Sequence, residues 1–307
     1  LDGGTLRLIL TTKGPFDVDS VDVVPSKDRQ GFRLIVDIFA SSDREFEQAL
    51  ADQVQTNAAT VTIPKSSRTS DLPADASKRF TVILDPGHGG VDGGADGLDG
   101  SIEKDFNLAT VIELRDKLDR IGTYDVHLTR ATDIFLRLDE RIRIARQHKA
   151  DLFISIHTDS INRGDIRGAT VYTVSEKASD VEAQAAADRE NLADILGGID
   201  VQEKNREVID ILTDLIRRET HSYSVQFARS LVSELPPAIA LINNPLRSAN
   251  FKVLQAPDVP SVLLELGYLS NTKDLQLLRD PNWRGKVADR IVTAITAFAA
   301  TKTAAGG

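Results

Sequence analysis

Side chains that could hold a metal stand at four separated points of this 307-residue sequence. His88 lies in DPGHGG (85–90) just past the strand-like run RFTVIL, His157 closes FISIHTDS, Glu265 closes SVLLELGY, and Glu103 opens a helical stretch. In open α/β sheets ligands bind beyond the carboxyl ends of the strands, so parallel strands at those runs would bring the four groups to one edge. Two histidines and one carboxylate, with the fourth position left to water, form an open zinc site. The chain has no cysteine, which excludes disulfides, thiolate ligands and cysteine nucleophiles and leaves only His, Asp or Glu for a metal. A lone histidine after a strand is more often structural, and the glycines around His88 suit a flexible turn as well as an open site. The joint placement is what favours a site.

Other chemistries each lack a part. HGG is found in oxyanion loops of serine hydrolases, but there is no G-x-S-x-G nucleophile elbow. GGVDGGADG lacks the G-K-[ST] of a phosphate loop and the helix that follows a dinucleotide fingerprint. Its Asp92, Asp96 and Asp99 lack the closing bidentate Glu of a calcium loop, so they read as a solvated loop near the site. His127, inside YDVHLTR, and His148, at a charged helix end, read as structural, while His221 opens a helix and stays ambiguous.

The elements that must position these groups are strands alternating with helices from residue 79 onward. RFTVIL, YDVHLTR, DLFISIHT, RGATVYTVS and PSVLLELGYLS are short apolar runs of the kind a doubly covered sheet uses. In the helix from Glu103, Leu108, Val111, Leu114, Leu118 and Ile121 form one apolar stripe that Gly122 ends, and WRGKVADRIVTAITAFAA supplies a closing helix. The expected fold is α/β, with a mostly parallel central sheet flanked by helices. Residues 1–45 hold TLRLILTT and GFRLIVDIFA, a partial β module, and the Ser-, Asp- and Thr-rich stretch 46–78 reads as a linker to a catalytic domain at 79–303. Residues 176–220 break the alternation with twelve acidic and six basic side chains. Two helical stripes are expected there, over Leu192, Ile195, Leu196 and Ile199 and over Val208, Ile211, Leu212 and Leu215.

Composition narrows the partners. A net charge of −9 argues against nucleic acid, and no stretch reaches the ~18 apolar residues of a membrane span. The chain begins LDGGTLRL and contains no Met, which suggests a mature or trimmed product.

VILDPGHGGVDGGADG, IEKDFNLATVIELRDKL, VHLTRATDIFLRLDERIRIAR, LFISIHTDS and VPSVLLELGYLSN together resemble the zinc-dependent N-acetylmuramoyl-L-alanine amidases of the AmiA, AmiB and AmiC type, over residues 79 to about 300. Residues 5 to about 40 resemble the second half of the AMIN domain that targets such enzymes to the cell wall. The resemblance implies Zn²⁺ as cofactor, His88, Glu103 and His157 as its ligands, and Glu265 as the catalytic glutamate. It implies hydrolysis of the amide between N-acetylmuramic acid and L-alanine in peptidoglycan, septal wall splitting in cell division, and a periplasmic location. Residues 176–220 resemble an autoinhibitory insertion that plugs the site until a LytM-domain activator withdraws it. Glu190 is the expected inhibitory zinc ligand, with Leu192, Ile195 and Leu196 packed on the cleft wall, and Asp159 is a further or outer ligand. A zinc peptidase acting on the stem peptide and an inactive wall-binding scaffold are the competing readings.

Overall fold

The computed structural model describes residues 16–25, 32–40, 79–161, 163–196 and 211–305. The chain divides into two compact units, Leu1–Ala74 and Asp75–Gly307. In the first, β1 (Phe16–Pro25) pairs antiparallel with β2 (Phe32–Ala40), with a bulge between Val18 and Ser20. β2 falls on the expected run GFRLIVDIFA. β1 occupies FDVDSVDVVP, a strand not expected above, although Phe16 and Val18 before the bulge and Val21 and Val23 after it each alternate with polar residues. The expected strand TLRLILTT and the linker 46–78 lie outside the described residues.

The second unit contains β3 (Phe80–Pro86), α1 (Glu103–Ile121), β4 (Tyr124–Leu128), α2 (Leu138–Gln147), β5 (Leu152–His157), β6 (Ala169–Val174), α3 (Val181–Glu190), α4 (Ala193–Leu196), α5 (Ile211–Glu234), β7 (Leu241–Ala249), β8 (Ser261–Glu265), α6 (Thr272–Arg279) and α7 (Pro281–Ala305). The sheet order is β4-β3-β5-β8-β6-β7, with all neighbours parallel except the β6–β8 pair. Alternation along the strands explains the continuous apolar runs, because both faces are covered. Val82, Leu84, Leu152, Ile154, Val262 and Leu264 pack with α1, α5 and α7 in one core, whereas Ile83, Phe153 and Leu263 join a second core with residues of α2 and α3.

Helix α1 buries Val111, Leu114 and Leu118, and Gly122 ends it in the left-handed region at φ 77°, as its missing Cβ permits. Ile121 departs from the expected stripe and is exposed. β7 escaped the sequence reading because Asn243, Asn244 and Pro245 interrupt its pattern. At the edge of a sheet a proline is tolerated, and the β6–β7 register shifts between Ala169 and Val171. His221 does not open a helix but lies inside α5. His127 and His148 stack with ring centroids 3.8 Å apart, His127 lying beside Asp125.

The end of β3 is fixed by buried charge. Asp85, wholly buried, accepts hydrogen bonds from Arg141 Nη1 (2.7 Å), Ser155 Oγ (2.7 Å) and the Thr129 hydroxyl. Burial alone would raise the pKa of Asp85, but the Arg141 guanidinium and these donors hold it below the usual carboxylate range. Arg141 also donates to the carbonyls of Pro86 (2.9 Å) and His88 (2.8 Å), and Arg130 donates to those of Pro86 (3.0 Å) and Gly87 (2.9 Å). Arg141→Met strands the Asp85 carboxylate and should lower unfolding free energy by ~3–5 kcal/mol. A urea denaturation curve checks this, and a loss under ~1 kcal/mol would mean that the pair carries little.

Candidate metal centre

The chain leaves β3 through Gly87, whose added Cβ would lie 2.3–2.6 Å from three ring atoms of His157. Only glycine lets the backbone pass that close to the ring. His88 follows with φ 60°, a left-handed conformation uncommon outside glycine. The Arg141 bond to the His88 carbonyl and the paired Gly89–Asp92 backbone bonds (2.8 and 3.2 Å) hold this turn. His157 ends β5, opposite Glu265 of β8 in the strand register. Glu103 is the first residue of α1, and its backbone N–H reaches Ala95 O (3.0 Å).

Each histidine is oriented by its outer nitrogen. His88 Nδ1 lies 2.8 Å from Asp92 Oδ2, and His157 Nε2 lies 3.1 Å from Ser155 Oγ. The Ser155 proton goes to Asp85, so Ser155 accepts from His157 Nε2–H and the Nδ1 lone pair faces inward. In the same way, donation from His88 Nδ1–H to Asp92 turns the Nε2 lone pair inward, where it has no hydrogen-bond partner although buried. Carboxylate oxygens face the same point. Glu103 Oε2 lies 3.3 Å from His88 Nε2, and Glu103 Oε1 lies 3.1 Å from His157 Nδ1. Glu190 Oε2 lies 3.3 Å from the first ring nitrogen and 3.2 Å from the second.

Inward lone pairs and carboxylates around one point repel unless positive charge sits among them. Burial lowers the pKa of His88, but Glu103 and Glu190 outweigh it and push the group well above the ordinary histidine value. Burial raises that of Glu103, but the two histidines carry it well below the ordinary value. A proton meets this demand at one nitrogen, whereas a dication meets it for all the groups. Ligands ~2.0–2.1 Å from a tetrahedral zinc ion are separated by ~3.3 Å, close to the 3.1–3.3 Å found here. The donor set therefore fits zinc.

Among the described residues His88, His157 and Glu190 form the group whose ligand atoms all lie within 4.8 Å of one another. Asp159 stands apart from it, its carboxylate ion-paired with Arg189. Burial lifts Asp159 to about 6 even against that arginine. The Asp159 N–H donates to Glu265 Oε2 (3.0 Å), and burial together with Asp159, Glu103 and Glu190 pushes Glu265 well above the ordinary carboxylate range.

The inserted segment packs differently from the sequence expectation. Leu192 and Ile195 are 49% and 56% exposed rather than packed on the cleft wall, and the buried face of α3 is Ala183, Ala186 and Ala187. Small side chains let the helix lie close to the sheet, so Glu190 reaches the ring nitrogens. Leu196, Ile199, Val208 and the second expected stripe fall on side chains outside the described residues. Asp92 is also corrected: it is buried against His88, not solvated. Its position four residues after His88 in a glycine turn was the available signal. Ser155 stood inside an apolar strand run and Asp85 just past the end of another, and neither gave one.

The pattern of known families decides among the chemistries that such a centre permits. Residues 82–297 match the family described as N-acetylmuramoyl-L-alanine amidase. The chain belongs to that family. The amidase AmiA of Escherichia coli (strain K12) is 36% identical over 218 residues, covering 71% of this chain and 75% of the relative. AmiC of Escherichia coli O6:H1 is 30% identical over 271 residues, covering 87% of this chain but 65% of the relative. Among solved amidase structures, the catalytic domain of CwlV from Bacillus (Paenibacillus) polymyxa var. colistinus has a TM-score of 0.53 at 28% identity, over 71% of this chain and 97% of that one. AmiC2 of Nostoc punctiforme has a TM-score of 0.53 at 26% identity, over 73% and 98%. The α/β sheet with helices on both faces is thus an amidase catalytic fold.

Asp92→Ala frees the His88 ring from its outer partner and should weaken zinc binding by ~10–100-fold. Competition with a chromogenic chelator measures this, and unchanged affinity would remove Asp92 from the centre.

Proposed function

We propose that the chain is a zinc-dependent N-acetylmuramoyl-L-alanine amidase held shut by its own inserted helix. The observation that carries this is the Glu190 carboxylate, delivered by α3 to within 3.3 Å of both inward ring nitrogens. Glu190 occupies the point to which both ring nitrogens turn, so a substrate carbonyl has no access to it while α3 is docked. His88, Glu103 and His157 would hold the zinc, and Glu190 takes the position that hydrolysis needs open.

When bound, zinc supplies the positive charge that polarises the amide carbonyl and makes a water more acidic. Glu265 takes the water proton and returns it to the leaving amine of L-alanine, its carboxylate aimed by the Asp159 N–H. Asp92 and Ser155 keep the two rings turned inward throughout. The bond cut joins the lactyl group of N-acetylmuramic acid to L-alanine, so peptidoglycan is the substrate.

A plug of this kind needs a partner to release it, and a LytM-domain activator of the division machinery fits that role. The exposed Leu192 and Ile195 beside Glu190 give such a partner apolar side chains to grip. Release at the septum of a periplasmic enzyme would confine cutting to the division site, and the β1–β2 module would contribute to wall targeting. No helix among the described residues is long and apolar enough to cross a membrane.

Glu190→Ala should raise dye release from labelled peptidoglycan by at least about tenfold while zinc content stays at one per chain, as expected when a closed population opens. Equal basal rates would sink the plug. Glu265→Gln in that background should lower the rate by ~10²–10⁴-fold. Mass analysis of the products must find intact stem peptides beginning with L-alanine; peptides cut internally would assign the centre to a peptidase.

A further inference from the structure

Beside the metal centre lies a second cavity of about 650 Å³, between α3 on one side and loop residues 163–167 and β7 on the other. Its size is that of a ligand site, ~300–1,000 Å³. It meets the metal centre at Asp159, the residue bonded to Glu265, and its wall carries the buried rings of Tyr172 and Tyr268. That is the side on which Glu265 would hand a proton to the leaving amine. The leaving amine is the N-terminus of the stem peptide, so the peptide must run away from the zinc on this side.

Arginines line the cavity, and they differ in what occupies them. Arg167 pairs with Asp274 (3.2 Å) at the start of α6, a fixed part of the body. Arg247, on edge strand β7, donates from Nε to Asn244 O (3.0 Å) and presents Nη1 to Asp180 Oδ1 (3.1 Å). Asp180 is the N-cap of α3, accepting from Ala183 N. Among the described residues its carboxylate is the ion-pair partner of Arg247, and it belongs to the inserted segment. A movement that lifts the segment from Asp180 to Glu190 away as one unit therefore also strips Arg247 of its carboxylate, leaving a guanidinium in a cavity next to the reaction.

We propose that this cavity is the subsite for the acidic stem peptide and that Arg247 binds one of its carboxylates, with Asp180 occupying that place while α3 is docked. The proposal rests on the amidase reading for the identity of the peptide. A guanidinium offers a carboxylate two parallel donors, so the site selects free carboxylates over their amides. The inserted segment thereby blocks two features of the substrate at once: Glu190 the reacting centre and Asp180 the peptide anchor.

Calorimetric titration of the full chain tests this with the synthetic tripeptide L-alanyl-γ-D-glutamyl-L-lysine and the same tripeptide with its carboxylates amidated. Asp180→Asn keeps an N-cap side chain but removes the competing charge. It should tighten binding of the acidic tripeptide by about tenfold and leave the amidated one unchanged. Adding Arg247→Gln to Asp180→Asn should bring the acidic tripeptide down to the affinity of the amidated form, while Arg247→Lys retains part of the preference. Equal binding of the two peptides by every protein, no binding of either, or equal weakening of both by Arg247→Gln would overturn the subsite. The titration does not depend on catalysis. Absence of hydrolysis by the Glu190→Ala chain would defeat the amidase reading and leave a measured carboxylate preference standing.

Discussion

A carboxylate buried at the end of one strand sets the geometry on which the site depends. Asp85 can be ionised in the core only because Arg141, Thr129 and Ser155 surround it. Those partners are the route by which it governs the centre. Arg141 continues to the His88 carbonyl and fixes a backbone in the left-handed region, while Ser155 passes the constraint to the His157 ring. One buried charge thus orients both nitrogen donors, through two strands adjacent in the sheet whose paired residues Asp85 and Ser155 are 70 apart in sequence. An apolar residue in its place could fill the volume but could not aim either ring.

The second organising force is repulsion. Glu103, Glu190, Glu265 and Asp159 crowd one end of the sheet with few cations among them. Such an arrangement persists in a folded protein when positive charge is supplied; Arg189 supplies part of it at the margin, and a metal at the centre would supply the rest. The same crowding gives the inserted segment its leverage. Its Glu190 is attracted to whatever cation the centre holds, and its Asp180 and Arg189 are satisfied only while it is docked.

Much of the fold was legible because its signals are local. Runs such as TVIL and LFISI, buried on both faces, leave little choice but central strands, and Gly122 marks a helix end by a left-handed conformation that its missing Cβ permits. The convergence of His88, Glu103 and His157 followed from strand ends and from the family pattern. What escaped depended on tertiary context. Pro245 in β7 is acceptable only because that strand lies at an edge, which no local pattern reveals. Leu192 and Ile195 have the spacing of a buried stripe, yet the neighbouring alanines, by allowing a closer approach, took the buried face. Asp92 read as solvated because its burial depends on a turn that Arg141, far along the sequence, holds in place.

The alanine face of α3 has a thermodynamic consequence. Methyl side chains bring little apolar area of their own to the docked face, so the helix depends less on burial than a leucine-faced one would. Docking relies instead on directional polar contacts: Asn191 with the Asn250 carbonyl and the Lys252 N–H, Asp194 with the Leu138 N–H, and the ion pairs to Asp159 and Arg247. An equilibrium built in this way responds to ionic strength. A wall-cutting enzyme so constructed would open and shut in answer to the ions around it, a lever that an apolar plug would lack.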